Sequence, residues 1–499
     1  EPEQPLRSRL SSMNMSAAIS RPQQLDADAC YRAIMAKDAR FDGRFFVCVS
    51  STGIYCRPVC PARVPKRQHC SFVPSAAAAE AAGFRSCLRC RPETAPGTPA
   101  WAATVSRALR LIEDGALDDG RLEDLAARLG IGERQLRRLF LAHVGAGPQA
   151  VAANRRLLTA KHLISDTSMP LADVAFAAGY QSLRRFNDAI RQAYGVAPGG
   201  IRRISEKQAG GAIRIRLGYR PPFDFGAILA YLSSRALPGV EHVGANRYSR
   251  SFELDGVTGC LTVAPCATGH ALEARITPLD VAPGSLPVRA IAARLRRLFD
   301  LDAEPGAIAA AFADDALIGP RIARAPGLRV PGAFNGFELA VRAVLGQQIS
   351  VKGATTIAGR IIARFGTPLA DKTEGITHFF PTPHVLSRAD LSGLGLTGAR
   401  IATLTSLASA VAAGTLDFTP RESLDAKLDE LTALPGIGAW TAHYIALRAL
   451  GEPDAFPSSD LGLRKAAGGG TPIPTAALDA LSQSWRPWRG YAAIALWTL

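Results

Sequence analysis

Between Leu122 and Pro198 the apolar positions run through the same rhythm twice: LEDLAARLGIGERQLRRLFLAHVGAGP is echoed by LADVAFAAGYQSLRRFNDAIRQAYGVAP. Leu122 and Gly130 are spaced like Leu171 and Gly179. Leu136, Phe140, Gly145 and Pro148 then step like Phe186, Ile190, Gly195 and Pro198, and only the turn differs, by one residue. Each copy predicts a short helix with one apolar face, a glycine turn and a second helix rich in arginine, over about residues 133–143 and 181–194. That is the pattern of a helix-turn-helix unit. A long helix over about residues 149–164 would join the two copies, making residues 101–205 an all-α domain.

Further along, the apolar period shortens to two in RIRLGY, GCLTVAP and ALEARITP, with helical FGAILAYLSSRAL and VRAIAARLRRLFDL between and after. Residues 212–301 therefore read as a small α+β domain with an antiparallel sheet. Residues 307–499 return to helical periodicity broken by Gly/Pro turns and read as an all-α domain. Its last stretch, YAAIALWTL, is an apolar helix without a cap, so a longer C-terminus is expected. Residues 26–92 are Cys-rich and read as a small α/β domain, followed at 93–100 by a Pro/Thr/Ala linker. Residues 1–25 show no pattern and are expected to be disordered or a tag remnant. The fold class expected is multidomain and predominantly α.

Composition narrows the partners. No run approaches the ~20 consecutive apolar residues of a bilayer crossing, and the first residues lack the order of a secretory signal. A soluble, cytoplasmic protein is expected, with no membrane partner. The 499 residues carry a formal charge of +15, most of it before position 211. A basic surface attracts phosphates by releasing condensed counterions, which makes nucleic acid the leading partner, although a solvated basic surface accounts for composition alone equally well.

Seven of the nine cysteines precede position 91. Without an export signal a disulfide framework is disfavoured and a metal site gains weight. Cys56-x3-Cys60-x26-Cys87-x2-Cys90 offers two close pairs separated by a loop, which suits one tetrahedral S4 zinc ion. A purely structural zinc knot is the commonest use of such a quartet, and spacing does not exclude Cys70 as a ligand. FFVCVSSTGIYCRPVCPAR followed by AAAAEAAGFRSCLRCRP resembles the N-terminal domain of the Ada family of alkylation-response proteins. The resemblance implies that Cys56 is both a zinc ligand and the nucleophile that takes a methyl group from a DNA methyl phosphotriester, with Cys60, Cys87 and Cys90 completing the site.

The tandem repeat resembles the DNA-binding domain of the AraC family. On that match Arg134, Arg137, Arg138, Arg184 and Arg185 would reach phosphates or guanine edges of promoter DNA, though arginines also solvate ordinary helical bundles. Transcriptional activation would bring RNA polymerase as a possible partner.

In LTALPGIGAWTAHYIALRALGEPDAFPSSD, the Leu-Pro-Gly-Ile-Gly turn opens a helix near Ala439. Glycines let a backbone approach a phosphate, and the helix start directs N–H groups at it. With Asp460 downstream, this turn resembles the helix-hairpin-helix glycosylases, and VRAVLGQQIS, FFPTP and WRPWRGYAAIALW resemble the AlkA-like alkylpurine branch over residues 217–499. The resemblance implies that Asp460 is the catalytic carboxylate, with Asp454 and Asp479 fitting less well, and that Gly436 and Gly438 bind DNA. It also implies Trp440, Tyr444 and Trp497 as the pocket for a cationic base, whereas aromatics at helical spacing are usually core, the place expected for Trp485 and Trp488. Gln348 stands where a relative has a leucine wedge. Thr441 occupies the position of the lysine in bifunctional relatives, so a monofunctional DNA-3-methyladenine glycosylase II activity with no cofactor is expected. The whole reads as a bacterial, nucleoid-associated, monomeric alkylation-repair protein of double-stranded DNA. The rival reading is a transcription regulator with a structural zinc site and a catalytically weak C-terminal region.

Overall fold

The computed structural model describes residues 25–97, 103–167, 169–204, 213–279, 286–373 and 375–498. Residues 1–24, expected to be disordered, and residues 98–100 of the expected linker lie outside these. Residues 93–97 are packed rather than free. The Glu93 carboxylate and Lys161 ammonium form a buried pair at 2.7 Å, and Lys161 also donates to the Cys87 carbonyl at 3.1 Å. Once withdrawn from water the two charges hold each other, which fastens the N-terminal domain to the joining helix.

That domain is a four-stranded sheet in the order Cys70–Val73, Phe46–Val49, Ile54–Cys56, Arg85–Ser86, antiparallel except for the last pair. Short helices Ala27–Ala36 and Ala76–Ala81 flank it.

The tandem repeat folds as its periodicity predicts. Helices Leu122–Arg128 and Glu133–Val144 form the first unit, Leu171–Ala177 and Leu183–Tyr194 the second, and Pro148–Asp166 joins them. Both arginine-rich helices end at a left-handed glycine, Gly145 (φ 74°) and Gly195 (φ 71°), and a proline opens the helix that follows each.

Strands Ile213–Gly218, Ala271–Pro278, Val257–Pro265, Arg247–Leu254 and Glu241–Gly244 form, in that order, one antiparallel sheet. Its core is continuous with that of the second helix-turn-helix unit, so Phe186 and Ile190 share a cluster with Ile215 and Leu261. The halves are therefore joined by apolar burial as well as by chain.

Among the described residues from 307 onward the chain is helical apart from one hairpin, strands Pro368–Thr373 and Ile376–His378. Leu369, Ile376 and Phe379 pack together beside Cys260, and Thr377 and His378 donate to the Gly239 carbonyl. Tertiary contact with the preceding domain thus stabilises a strand pair that its short sequence pattern did not signal. The helices divide between two cores. Tyr444 borders one and Trp497 the other, so the aromatic residues lie along the seam where the two cores meet. Among the described residues no helix is long and apolar enough to cross a membrane.

Candidate functional site

Helix Leu424–Thr432, the turn at 433–438 and helix Ala439–Arg448 build the hairpin. Gly436 has φ +83°, and a Cβ there would meet Thr403 Oγ1 at 1.9 Å, so both conformation and space demand glycine. Gly438, by contrast, is exposed, and a Cβ on it would meet nothing within 4 Å. One glycine shapes the turn while the other leaves room in front of the helix start. Gln347 fastens the neighbouring loop to this hairpin by donating to the Gly436 carbonyl (2.9 Å) and Thr441 Oγ1 (3.0 Å). Next to it Gln348 is exposed and itself left-handed (φ 56°).

Asp460 caps helix Leu461–Ala467, its Oδ1 accepting from the Leu463 amide at 2.9 Å. Trp440 Nε1 donates to Oδ2 at 2.8 Å, and Trp497 Nε1 donates to Oδ1 at 3.0 Å. Neutral donors hold both oxygens, and among the described residues no cation pairs with them. The carboxylate is oriented and partly exposed, with its charge uncancelled. Asp454, in contrast, is bound by Arg486 and Arg489, and Asp479 lies on an exposed helix face. The Trp440 and Tyr444 rings stack at 5.4 Å and 12°, and Tyr444 meets Trp497 edge-on at 6.1 Å. Trp485 is buried, as expected of core, and donates to Asp315; Trp488 packs at the edge of the same core.

Arg448 and His443 also lie at this site and carry no motif. Arg448, buried under the aromatic stack, donates to Tyr444 Oη (2.7 Å) and Tyr231 Oη (2.9 Å). Burial opposes ionisation of Tyr444, but Arg448, Arg235 and Arg342 together hold its phenol below the ordinary range. His443 Nδ1 accepts from the Phe456 amide at 3.2 Å, and burial, then Arg489, pushes its pKa down. The imidazole is therefore neutral, with its proton on Nε2. Helical spacing places Tyr444 and Arg448 on one face, but no local signal could have paired His443 with a loop amide.

In the N-terminal domain the Sγ atoms of Cys56, Cys60, Cys87 and Cys90 all lie within 4.8 Å of one another, with no disulfide. The parallel pairing of Tyr55 with Ser86 carries Cys56 and Cys87 side by side at the strand ends. The Arg57 amide points at Cys90 Sγ and the Arg89 amide at Cys87 Sγ, each at 3.4 Å. Four converging sulfurs, two of them receiving N–H donors that favour thiolate, fit a tetrahedral Zn²⁺. Cys70 is buried in a core that Cys56 borders, but its sulfur is not part of the cluster. Cys87 and Cys90 are buried, whereas Cys56 and Cys60 are partly exposed. They open on a 570 Å³ cleft that is also lined by Arg57, Arg63, Arg85 and Arg89. Arg134, Arg137, Arg138, Arg184 and Arg185 are all exposed on the second helices of the two units. Arg137 also meets Glu133 at 3.1 Å, and Arg184 meets Asp188 at 3.9 Å.

Residues 29–93 match the metal-binding domain of Ada, residues 125–204 a helix-turn-helix domain, and residues 214–335 the AlkA N-terminal domain. Over 483 residues the chain is 44% identical to a Mycobacterium tuberculosis protein described as "Probable bifunctional transcriptional activator/DNA repair enzyme AlkA", covering 95% of this chain and 96% of that one. It is 35% identical over 285 residues to DNA-3-methyladenine glycosylase 2 of Escherichia coli strain K12, covering 56% of this chain and 95% of the relative. The bifunctional transcriptional activator/DNA repair enzyme Ada of the same strain is 39% identical over 126 residues, which is 25% of this chain and 35% of the relative.

Proposed function

Because this chain belongs to the family of bifunctional AlkA transcriptional activator and DNA repair proteins, we propose that its C-terminal half is a monofunctional alkylpurine DNA glycosylase and its N-terminal half a methyl-phosphotriester sensor that activates transcription. The observation that carries the enzymatic reading is the Asp460 carboxylate, held by two indole N–H groups at the edge of a stacked aromatic cleft.

A 3-alkylated adenine or 7-alkylated guanine is already cationic, so its glycosidic bond breaks without strong acid assistance. The protein must stabilise the positive charge developing on the sugar and direct a water to it. An ionised, oriented carboxylate serves both needs; Oδ1 already accepts from Trp497 and the Leu463 amide, and Oδ2 keeps a lone pair beyond its bond from Trp440. The base leaves the duplex stack first, and the Trp440, Tyr444 and Trp497 faces attract its charge by roughly 0.5–2 kcal/mol per contact. Gly438, with open space before the helix start, supports a role in binding the phosphate backbone, with Gly436 setting the turn and exposed Gln348 reaching the duplex beside it. Thr441, which accepts from Gln347, offers no amine for a lyase step.

At the sensor, Cys56, Cys60, Cys87 and Cys90 would hold one Zn²⁺, which keeps sulfur as thiolate at neutral pH. Cys56 Sγ attacks the methyl carbon of the phosphotriester. The new S–C bond forms as the C–O bond breaks, and the phosphodiester leaves with the electron pair. The cysteine becomes a thioether and one negative charge is lost from the protein face, so repulsion of DNA falls. We further propose that the recognition-helix arginines then hold promoter DNA within reach of RNA polymerase, and that the protein acts as a monomer with the chromosome in the bacterial cytoplasm.

The deciding assay incubates the full chain with duplex DNA containing 3-methyladenine. Release of free base by the wild type, and its loss in a folded Asp460→Asn variant, is the expected result; retained release in that variant removes Asp460 from the reaction.

A further inference from the structure

Residues 451–460 connect the pocket helix Ala439–Arg448 to Asp460, and their path is held from several sides. Arg486 and Arg489 bind Asp454, the Gly490 amide donates to the Pro453 carbonyl, and His443 accepts from the Phe456 amide. These contacts come from the glycosylase region itself.

A further hold comes from the other half of the chain. Helix Ala103–Glu113, the first described helix of the helix-turn-helix domain, presents Arg107 and Arg110 to this segment. Arg107 Nε and Nη2 meet the two Glu452 oxygens at 3.2 and 3.3 Å, and Arg110 Nη2 meets Oε1 at 2.7 Å. Arg110 Nη1 also donates to the Gly451 carbonyl at 2.8 Å, and Arg107 Nη1 to the Glu422 carbonyl at 3.3 Å. Glu452 is only 5% exposed. Burial alone would raise its pKa, but Arg110 and Arg107 hold the carboxyl below the ordinary range. A second contact lies nearby, where Arg128 donates to Thr419 Oγ1 and the Gly130 turn abuts Glu422.

We propose that Arg107 and Arg110 are positioning residues for the glycosylase, acting from the helix-turn-helix domain through Glu452 to set where Asp460 stands in the cleft. The proposal rests on the reading of Asp460 as the catalytic carboxylate. Two arginines and a buried carboxylate make a clamp that is costly to break, because either partner left alone is an uncompensated charge away from water. A displacement of the segment reaches Asp460 eight residues on, which is held by two indole hydrogen bonds, its cap and an amide hydrogen bond to the Pro457 carbonyl. The reaction is sensitive to shifts of about 1 Å in a catalytic group, which cost on the order of a hundredfold. The clamp makes the sensor half part of the active-site scaffold, so a change in how that half sits alters base release.

The test uses the full chain with Arg107→Ala/Arg110→Ala and, where that pair does not fold, Glu452→Gln, which keeps size and removes charge. Single-turnover release of 3-methyladenine is expected to slow at saturating enzyme by roughly tenfold or more, with the half-saturating DNA concentration within about twofold. Arg107→Lys/Arg110→Lys, which restores the charge without the bidentate fork, is expected to recover part of the rate. A lowered melting temperature with an unchanged rate constant assigns the clamp to stability alone and overturns the proposal. Hydrogen exchange over residues 451–460 reads the clamp independently of catalysis. Faster exchange in the variants is expected, and unchanged exchange overturns the proposal even where wild-type base release fails, an outcome that by itself counts against the proposed function.

Discussion

The indole N–H of Trp440 points at Oδ2 of Asp460, 2.8 Å away. The aromatic wall and the carboxylate are therefore one hydrogen-bonded unit, with the ring stacked on Tyr444 and its edge orienting the charge. Trp440→Phe keeps the stacking face and deletes the donor. Losing a hydrogen bond to an ionised acceptor corresponds to about 1.5–3 kcal/mol. Single-turnover base release is expected to slow by roughly tenfold to a hundredfold while DNA affinity holds. A rate equal to wild type would detach the indole from the reaction.

The two hairpin glycines separate shape from binding. Gly436→Ala places a side chain on a left-handed residue, costing about 1–2 kcal/mol, and drives it into Thr403. Thermal denaturation should show a lowered midpoint. Gly438→Ala meets open space in the free protein, so its melting should be near that of wild type while its affinity for duplex DNA falls.

Acid should loosen the loop that carries Asp460. His443 accepts a hydrogen bond only when neutral, and burial lowers its folded-state pKa below 6.5. Between that lowered value and about 6.5 the unfolded chain binds the proton more tightly. The contribution of His443 to stability is thus full above about pH 6.5, declines as pH falls through the window, and levels off below the folded pKa. Melting temperature followed from pH 8 to 5 should show this slope in the wild type and a shallower one in His443→Gln. Parallel slopes would mean that the folded protein binds this proton as readily as the unfolded chain does.

Cys56 and Cys60 are the reachable sulfurs of the quartet. After exposure to methyl-phosphotriester DNA, mass spectrometry of the wild type should find one added methyl group on Cys56. Cys56→Ser should take up none yet still release damaged base. An unmodified Cys56, or methyl on Cys60 instead, reassigns the nucleophile or reduces the site to a structural knot.

The exposed arginines of the repeat should behave as phosphate and base contacts. Arg134→Ala and Arg185→Ala are each expected to weaken promoter binding and, where the lost contact is to phosphate, to lower the slope of log affinity against log salt by about one. A salt dependence identical to wild type would leave that arginine as surface only.

What the sequence determined by itself is everything written in short-range spacing. The doubled apolar rhythm specified both helix-turn-helix units, because helix period and turn glycines are local. The Cys spacings specified the cluster, and the hairpin turn with Asp460 specified the catalytic candidate, because each motif repeats a compact chemical requirement. Tertiary structure alone decided the partners of isolated polar residues. Arg107 and Glu452, Lys161 and Glu93, and His443 and the Phe456 amide meet because packing brings distant segments together and then excludes water. A charge that ends buried and paired looks, along the chain, like any solvated surface charge. Its role is set by which apolar faces close around it, and that depends on the whole fold.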